Sequence, residues 1–285
     1  EEGLDPVTAI RMATLNAAEC FGLKDRGAIA PGYRGDVVLL DDLTEFHVNR
    51  VFIQGKLVAE EGNYLPEIQR YDISSVKGSV IVKDFSREKF KMHLKSNKVN
   101  VIKILPGGVV TAKDTAEIQL DAQGEFVRNP EVDIVKVAVV ERHQGTGNVA
   151  CGFLKGYGIK EGAVALSVAH DSHNIIVVGV SDEEMEFAVN SLIQQEGGIV
   201  LVKEGKVIES MPMPIAGLMS DQSGEWVDQK LTEIHQKAFD ELGISGEVEP
   251  VMTLCFMSLA VIPEIKLTDM GLFDVTTFSF TSVEA

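Results

Sequence analysis

The stretch NIIVVGVSDEEMEFAVNSLIQQEGGIVLVK, residues 174–203, reads as strand, helix, strand. Ile175 to Val180 is a short apolar run rich in β-branched residues, and Gly198 to Lys203 is another. Between them, Ser181 and Glu184 make a capping box, and Asp182, Glu183 and Glu184 complement the positive end of the helix dipole. Met185, Ala188, Val189, Leu192 and Ile193 recur at helical spacing as a buried stripe, which Gly197 stops. A βαβ unit or a helix laid on a sheet accounts for this order, so the fold class runs from α/β to α+β.

Working outward, further short strands rich in Val and Ile are expected at 79–83, 99–105, 132–141, 149–154, 162–169 and 206–210. Short connections make that sheet largely antiparallel. A second helix covers about 223–242, with Val227, Leu231, Ile234, Ala238 and Leu242 on one face and Gly243 just past its end. Before residue 73 the pattern changes. Residues 5–22 form a complete helix, with Asp5 as N-cap, Pro6 at the first position and Gly22 as terminator. Val7, Ile10, Ala13, Thr14, Ala17 and Phe21 give it an apolar face that needs a partner layer. Val37 to Leu40 is a short strand, and residues 48–53 and 57–59 are a hairpin turning at Gly55-Lys56. A boundary is placed near residues 63–72, and no internal repeat is visible.

Composition removes several function classes. Asp and Glu number 43 against 26 Lys and Arg, a net charge of −17. A phosphate backbone is repelled by that balance, and no basic stripe reverses it locally, so no nucleic-acid partner is expected. No apolar run reaches the roughly 18–20 residues of a membrane span, and the first residues do not form a signal peptide. Cys20, Cys151 and Cys255 are odd in number and far apart, which fits a reduced cytoplasmic chain rather than a disulfide scaffold.

Two polar clusters carry potential chemistry. His170-Asp171-Ser172-His173-Asn174 interrupts two apolar runs at a strand end. Two imidazoles three residues apart can face one way, with Asp171 to orient one of them. The same residues also make a hydrogen-bonded turn, and a His-x-x-His spacing leaves a turn and a metal or substrate site both open. Glu141-Arg142-His143-Gln144 follows the strand that ends at Val140; it is either a polar-ligand site or an ion pair at a strand end. Gly145-Thr146-Gly147 lacks the third glycine of a dinucleotide loop. Met211-Pro212-Met213-Pro214-Ile215-Ala216-Gly217-Leu218-Met219-Ser220 cannot be a helix or a central strand, and reads as a buried connector or an interface.

The residues also carry a resemblance. Asp5-Pro6-x-x-Ala9 with Thr14-x-Asn16-Ala17-Ala18 resembles the last barrel helix of the amidohydrolase superfamily. Gly27-x-Ile29-x-Pro31-Gly32, Gly35-Asp36-Val37-Val38 and Val51-x-x-x-Gly55-Lys56 are similar to the small β domain that flanks such a barrel. The segments 141–148, 170–174, 211–218 and 261–269 together resemble the C-terminal domain of bacterial adenine deaminases. The resemblance implies three parts. Residues 1–22 would be the last helix of a TIM-like barrel, 23–66 part of a small β-sandwich domain, and 67–285 a mixed α+β C-terminal domain.

It further implies a hydrolase of purine metabolism and adenine catabolism that converts adenine to hypoxanthine and ammonia at a binuclear manganese or iron centre. That family's metal ligands lie upstream of the last barrel helix, and no His-x-His occurs here, so no catalytic or metal residue carries over. The start at Glu1 without methionine and the unpartnered helix are expected of a chain cut near the end of a barrel, which alone would be inactive. Adenine, the upstream barrel segment and further copies of the protein are the expected partners. Because barrel sites open at one face, Arg142, His143, His170, Asp171 and His173 are the candidate substrate-binding or pocket-lining residues. Two other classes stay open: a different amidohydrolase acting on a cyclic amide, and a non-catalytic assembly or binding module.

Overall fold

A computed structural model describes residues 3–285. The chain divides into two compact units, Glu1–Tyr71 and Asp72–Ala285.

In the first unit, α1 (Pro6–Arg11) continues through a π-helical segment, Met12–Asn16, into α2 (Ala17–Cys20). The Asp5 carboxylate accepts the Thr8 amide at 2.9 Å, as an N-cap should. Gly22 adopts φ +68° past the helix end, where Leu23 N donates to Ala18 O. The expected apolar face forms but stays open. Only Ala18 is buried in these segments, and Phe21 is 79% exposed. Four antiparallel strands follow in the order β1 (Val37–Leu40), β2 (Val48–Ile53), β3 (Lys56–Glu60) and β4 (Asn63–Tyr64). The hairpin turns at Gln54-Gly55, both at positive φ, and Lys56 already belongs to β3, one residue earlier than the sequence predicts.

In the second unit, β5 (Lys98–Ile104), β6 (Thr111–Glu117), β7 (Gln119–Leu120), β8 (Phe126–Val127), β9 (Ile134–Val140), β10 (Val149–Lys155), β11 (Ala163–Leu166) and β12 (Ile175–Gly179) precede the long helix α3 (Asp182–Gln194). Then come β13 (Gly198–Lys203), β14 (Lys206–Pro212), α4 (Gly224–Asp240), α5 (Met252–Cys255), β15 (Ile265–Thr268), β16 (Gly271–Asp274) and β17 (Ser279–Phe280). Eight strands make the main sheet in the order β14-β13-β11-β12-β9-β10-β5-β6. Every neighbouring pair is antiparallel except β10 and β5. The strand–helix–strand of residues 174–203 is therefore split: β12 and β13 run parallel, with β11 antiparallel between them.

Alternate residues of the central strands face opposite layers. Ala163, Ala165, Val200 and Val202 pack with Met185, Ala188 and Leu192 of α3. Val164, Leu166, Ile199 and Leu201 pack with Ile234 and Ala238 of α4. Burial on both faces is why these strands read as unbroken Val/Ile/Ala runs. The Ser181 hydroxyl accepts the Glu184 amide at 3.2 Å, while the Glu184 carboxylate accepts the Gly205 amide rather than closing the capping box. Lys136 sits in the middle of β9 with its side chain 5% exposed, and its amine meets Asp182 at 2.6 Å.

The segment 79–83 is not a strand; Ile81 N reaches Arg142 O, and the pairing ends there. The edge strand β6 and the hairpin β15–β16 were not expected. Asn100 of β5 pairs with the chain's last residues, its amide donating to Val283 O and its side chain to Ser282 O and Glu284 O.

Candidate functional site

The two polar clusters, 141–148 and 170–174, meet at one end of the main sheet. β9 ends at Val140 and β12 begins at Ile175, and Val140 and Ile175 are register partners. Sheet pairing therefore sets Glu141–Arg142 beside His173–Asn174. The Arg142 amide donates to Asn174 Oδ1 at 3.3 Å, and His143 Nε2 lies 2.8 Å from Ser172 O.

Glu141 is an internal loop anchor. Its carboxylate accepts the amides of His143, Gln144 and Thr146 and the Thr146 hydroxyl. Burial alone would raise its pKa, but those hydrogen bonds outweigh the burial and hold it down at about 2. The Gly145-Thr146-Gly147 turn thus closes around Glu141. Its carboxylate makes no ion pair with Arg142.

Arg142 is 1% exposed. Its Nε donates to His173 O at 2.5 Å and its Nη2 to Ala216 O at 3.2 Å. Burial lowers its pKa from the usual guanidinium value. Gly217 lies against the guanidinium, where a Cβ would come within 2.8 Å of Nη1. The Met211–Ser220 stretch therefore serves the site. Its first two residues finish the edge strand β14, and the rest forms a turn over Arg142. Ser167, at the end of β11, ties that turn to the sheet: its hydroxyl donates to Gly217 O at 2.6 Å and accepts the Gly198 amide at 2.7 Å.

The 170–174 loop presents the remaining candidates. Asp171 is exposed, while His170 and His173 are half-buried. The His170 ring stacks on Phe256 with centroids 4.6 Å apart, and the His173 ring lies 6.2 Å from that of His170. Burial first, and then the nearness of His170, Arg142 and His143, keeps the His173 pKa below the ordinary histidine value. Its Nδ1 is buried with no hydrogen-bond partner among the described residues. Phe256 carries no sequence signal for this role, because it is one apolar residue in an apolar run. At the rim, Asn148 Nδ2 reaches Asp269 at 3.3 Å, which brings the β15–β16 turn alongside.

The structure thus gathers Arg142, His143, His170, Asp171 and His173 within one constellation, with Arg142 beneath it and the imidazoles on its outer side. Among the described residues no group of three or more His, Cys, Asp or Glu side chains is placed to hold a metal ion. No helix among them is long and apolar enough to cross a membrane.

The first comparison defines a class. Residues 1–58 match the model of the amidohydrolase family. Residues 108–279 match the adenine deaminase C-terminal domain, a match that takes in both polar clusters, the 211–220 turn and Phe256. The chain belongs to the adenine deaminase family. It is 66% identical over 285 residues to adenine deaminase 2 of Desulfotalea psychrophila, covering 100% of this chain and 50% of that protein. Identity to the adenine deaminase of Ligilactobacillus salivarius is 49% over 284 residues, again 100% of this chain but 49% of the relative. For the adenine deaminase of Nitratidesulfovibrio vulgaris strain DP4 the identity is 47%, over 99% of this chain and 48% of the relative. The chain spans about half the length of the curated relatives it matches.

Proposed function

We propose that this chain is the rear half of a cytoplasmic adenine deaminase, which hydrolyses adenine to hypoxanthine and ammonia in purine catabolism. The carrying observation is full-length identity of 66% to a protein named adenine deaminase 2, of which this chain accounts for 50%. The residues described here do not fit a binuclear metal centre, so no chemical step is assigned to them. In this reading the manganese or iron pair belongs to the other half, built as a TIM-like barrel.

Two features support that division. In the first unit an apolar cleft of about 740 Å³ is lined by Ile10, Ala17, Phe21, Ile29, Val38 and Phe46. Ile29 there is 87% exposed, an unusual place for an isoleucine unless another layer covers it. The upstream half of the protein is the proposed cover. In the second unit, His143, His170, Asp171 and His173 supply polar and aromatic edges suited to a planar heterocycle, and we assign them to the wall of the purine pocket.

Ammonia release from adenine with added Mn²⁺, measured with and without the upstream half, tests the division. Activity is expected only when both halves are present. Deamination by residues 1–285 alone would sink it. In the full-length protein, His173→Ala is expected to lower kcat/KM for adenine at least about tenfold, roughly 1.4 kcal/mol. An unchanged value in a normally folded variant would remove the 170–174 loop from the pocket.

A further inference from the structure

We infer that Arg142 is a positioning residue: its buried guanidinium joins the His170–Asn174 loop to the Met213–Met219 turn and so sets where the pocket wall stands. This rests on the reading of the 170–174 loop as that wall. Arg142 itself is 1% exposed and cannot touch a substrate from where it lies.

Three observations carry the inference. First, among the described residues the cation has no acidic partner. Its side-chain hydrogen bonds go to two backbone carbonyls, His173 O and Ala216 O, which belong to different loops. A buried charge held only by carbonyls is costly, and truncating it would leave both carbonyls without this donor, so the two loops depend on it together. Second, the geometry needs a planar fork. A guanidinium fixes the angle between its Nε and Nη2 donors and hence the spacing of the two loops; an ammonium carries its three donors on one rotatable nitrogen at the end of a flexible stem and fixes no such spacing. Third, the turn is shaped to receive the fork. Gly217 has φ +69°, and a Cβ there would meet Nη1, Cζ and Nη2 at 2.8, 3.0 and 3.1 Å, so only a glycine lets the backbone pass this close to the guanidinium. From the other side Ser167 holds Gly217 O, and Ala216 N donates to Val76 O, so the turn cannot follow the arginine if it moves.

The sheet fixes one partner of the fork and Ser167 the other. What the fork adds is their separation. The His173 carbonyl is pulled down onto Nε while His173 itself adopts φ +51°, which sets the direction of its ring. His143 secures the neighbouring Ser172 carbonyl in the same way, 2.8 Å from its Nε2. Without the fork the loop keeps that tether, the His170 amide on Cys255 O and its attachment to β12, but loses the guanidinium that it shares with the 213–219 turn.

The test uses the full-length protein with adenine as probe. Arg142→Lys keeps the charge but not the planar fork that spaces the two carbonyls; Arg142→Gln removes the charge. Both variants are expected to raise KM at least about tenfold, with kcat within about threefold, because the metal centre is untouched while the wall shifts. Hydrogen exchange at residues 170–174 and 213–219 should quicken together, with exchange in β9 and α3 unchanged. If Arg142→Gln does not fold, Arg142→Lys decides by the same readouts. Normal KM and unaltered exchange in Arg142→Lys would overturn the inference. So would a fall in kcat alone, which would make Arg142 part of the chemistry. His173→Ala run in parallel separates the two claims. If it leaves KM and kcat unchanged, the wall reading fails; if it raises KM while Arg142→Lys does not, the wall stands and only the positioning role fails.

Discussion

Asp182→Ala is expected to destabilise the second unit by about 3–5 kcal/mol, because it leaves the Lys136 ammonium buried without its counter-charge. Lys136 is a charged residue in the middle of a strand that is otherwise apolar, Ile134–Val140. Its side chain is 5% exposed and that of Asp182 is 14% exposed, with 2.6 Å between them. The other contact of the amine is the Phe90 carbonyl at 3.0 Å. Asp182 is the first residue of α3, so the pair pins the helix N-terminus onto the sheet, and the carboxylate also complements the helix dipole. Urea unfolding of residues 1–285, followed by the fluorescence of the single tryptophan, Trp226 in α4, measures the loss. The double variant Lys136→Met/Asp182→Ala should recover most of it, since an apolar pair removes the desolvation cost of both ions. A double variant as unstable as Asp182→Ala would refute the buried-charge explanation.

Glu141→Gln should cost on the order of 3 kcal/mol at neutral pH, the equivalent of moving a carboxyl from 4.5 to about 2. The sign follows from the direction of the shift. The folded-state pKa lies below the unfolded value, so the stabilisation is fully present above about 4.5 and is lost as pH falls towards 2. The wild-type chain should therefore lose stability across that window, and Glu141→Gln should lose less because it has no proton to take up there. An amide fails at this position for a simple reason. The carboxylate accepts from His143 N, Gln144 N, Thr146 N and Thr146 Oγ1 and donates nothing, whereas an amide turns one acceptor into a donor facing N–H groups. Unfolding free energies of both proteins from pH 7 to pH 3 provide the check. Parallel curves would remove Glu141 as the titrating group.

Much of this was legible in the residues, and the failures have physical causes. The helix α3 declares itself through a serine cap, an acidic first turn and an unbroken stripe, and α4 through its stripe and the glycine that follows it. Their sheet reads as Val/Ile runs because both faces are covered. β6, by contrast, is Thr-Ala-Lys-Asp-Thr-Ala-Glu, an edge strand whose outward residues look like a loop. The split of the strand–helix–strand by β11 cannot be read from 174–203, because the inserted strand lies upstream. In the site, each polar cluster was visible by itself, yet the turn that joins them was not. A guanidinium bonded to backbone carbonyls leaves no trace in side-chain spacing, and neither does a phenylalanine stacked on a histidine.

The pairing of Asn100 with the chain's last residues bears on how the second unit is made. Asn100 and Glu284 are 184 positions apart. Most strands of the main sheet have a partner close in sequence and can zip locally, but β5 receives part of its hydrogen bonding from a segment at the opposite end of the unit. Contacts of such long range cost chain entropy before they return anything, and they slow folding. β10 pairs with β5 only at Ile102 and Lys103, so residues 283–285 cover the side of the first half of β5 where unpaired backbone would invite association with another chain.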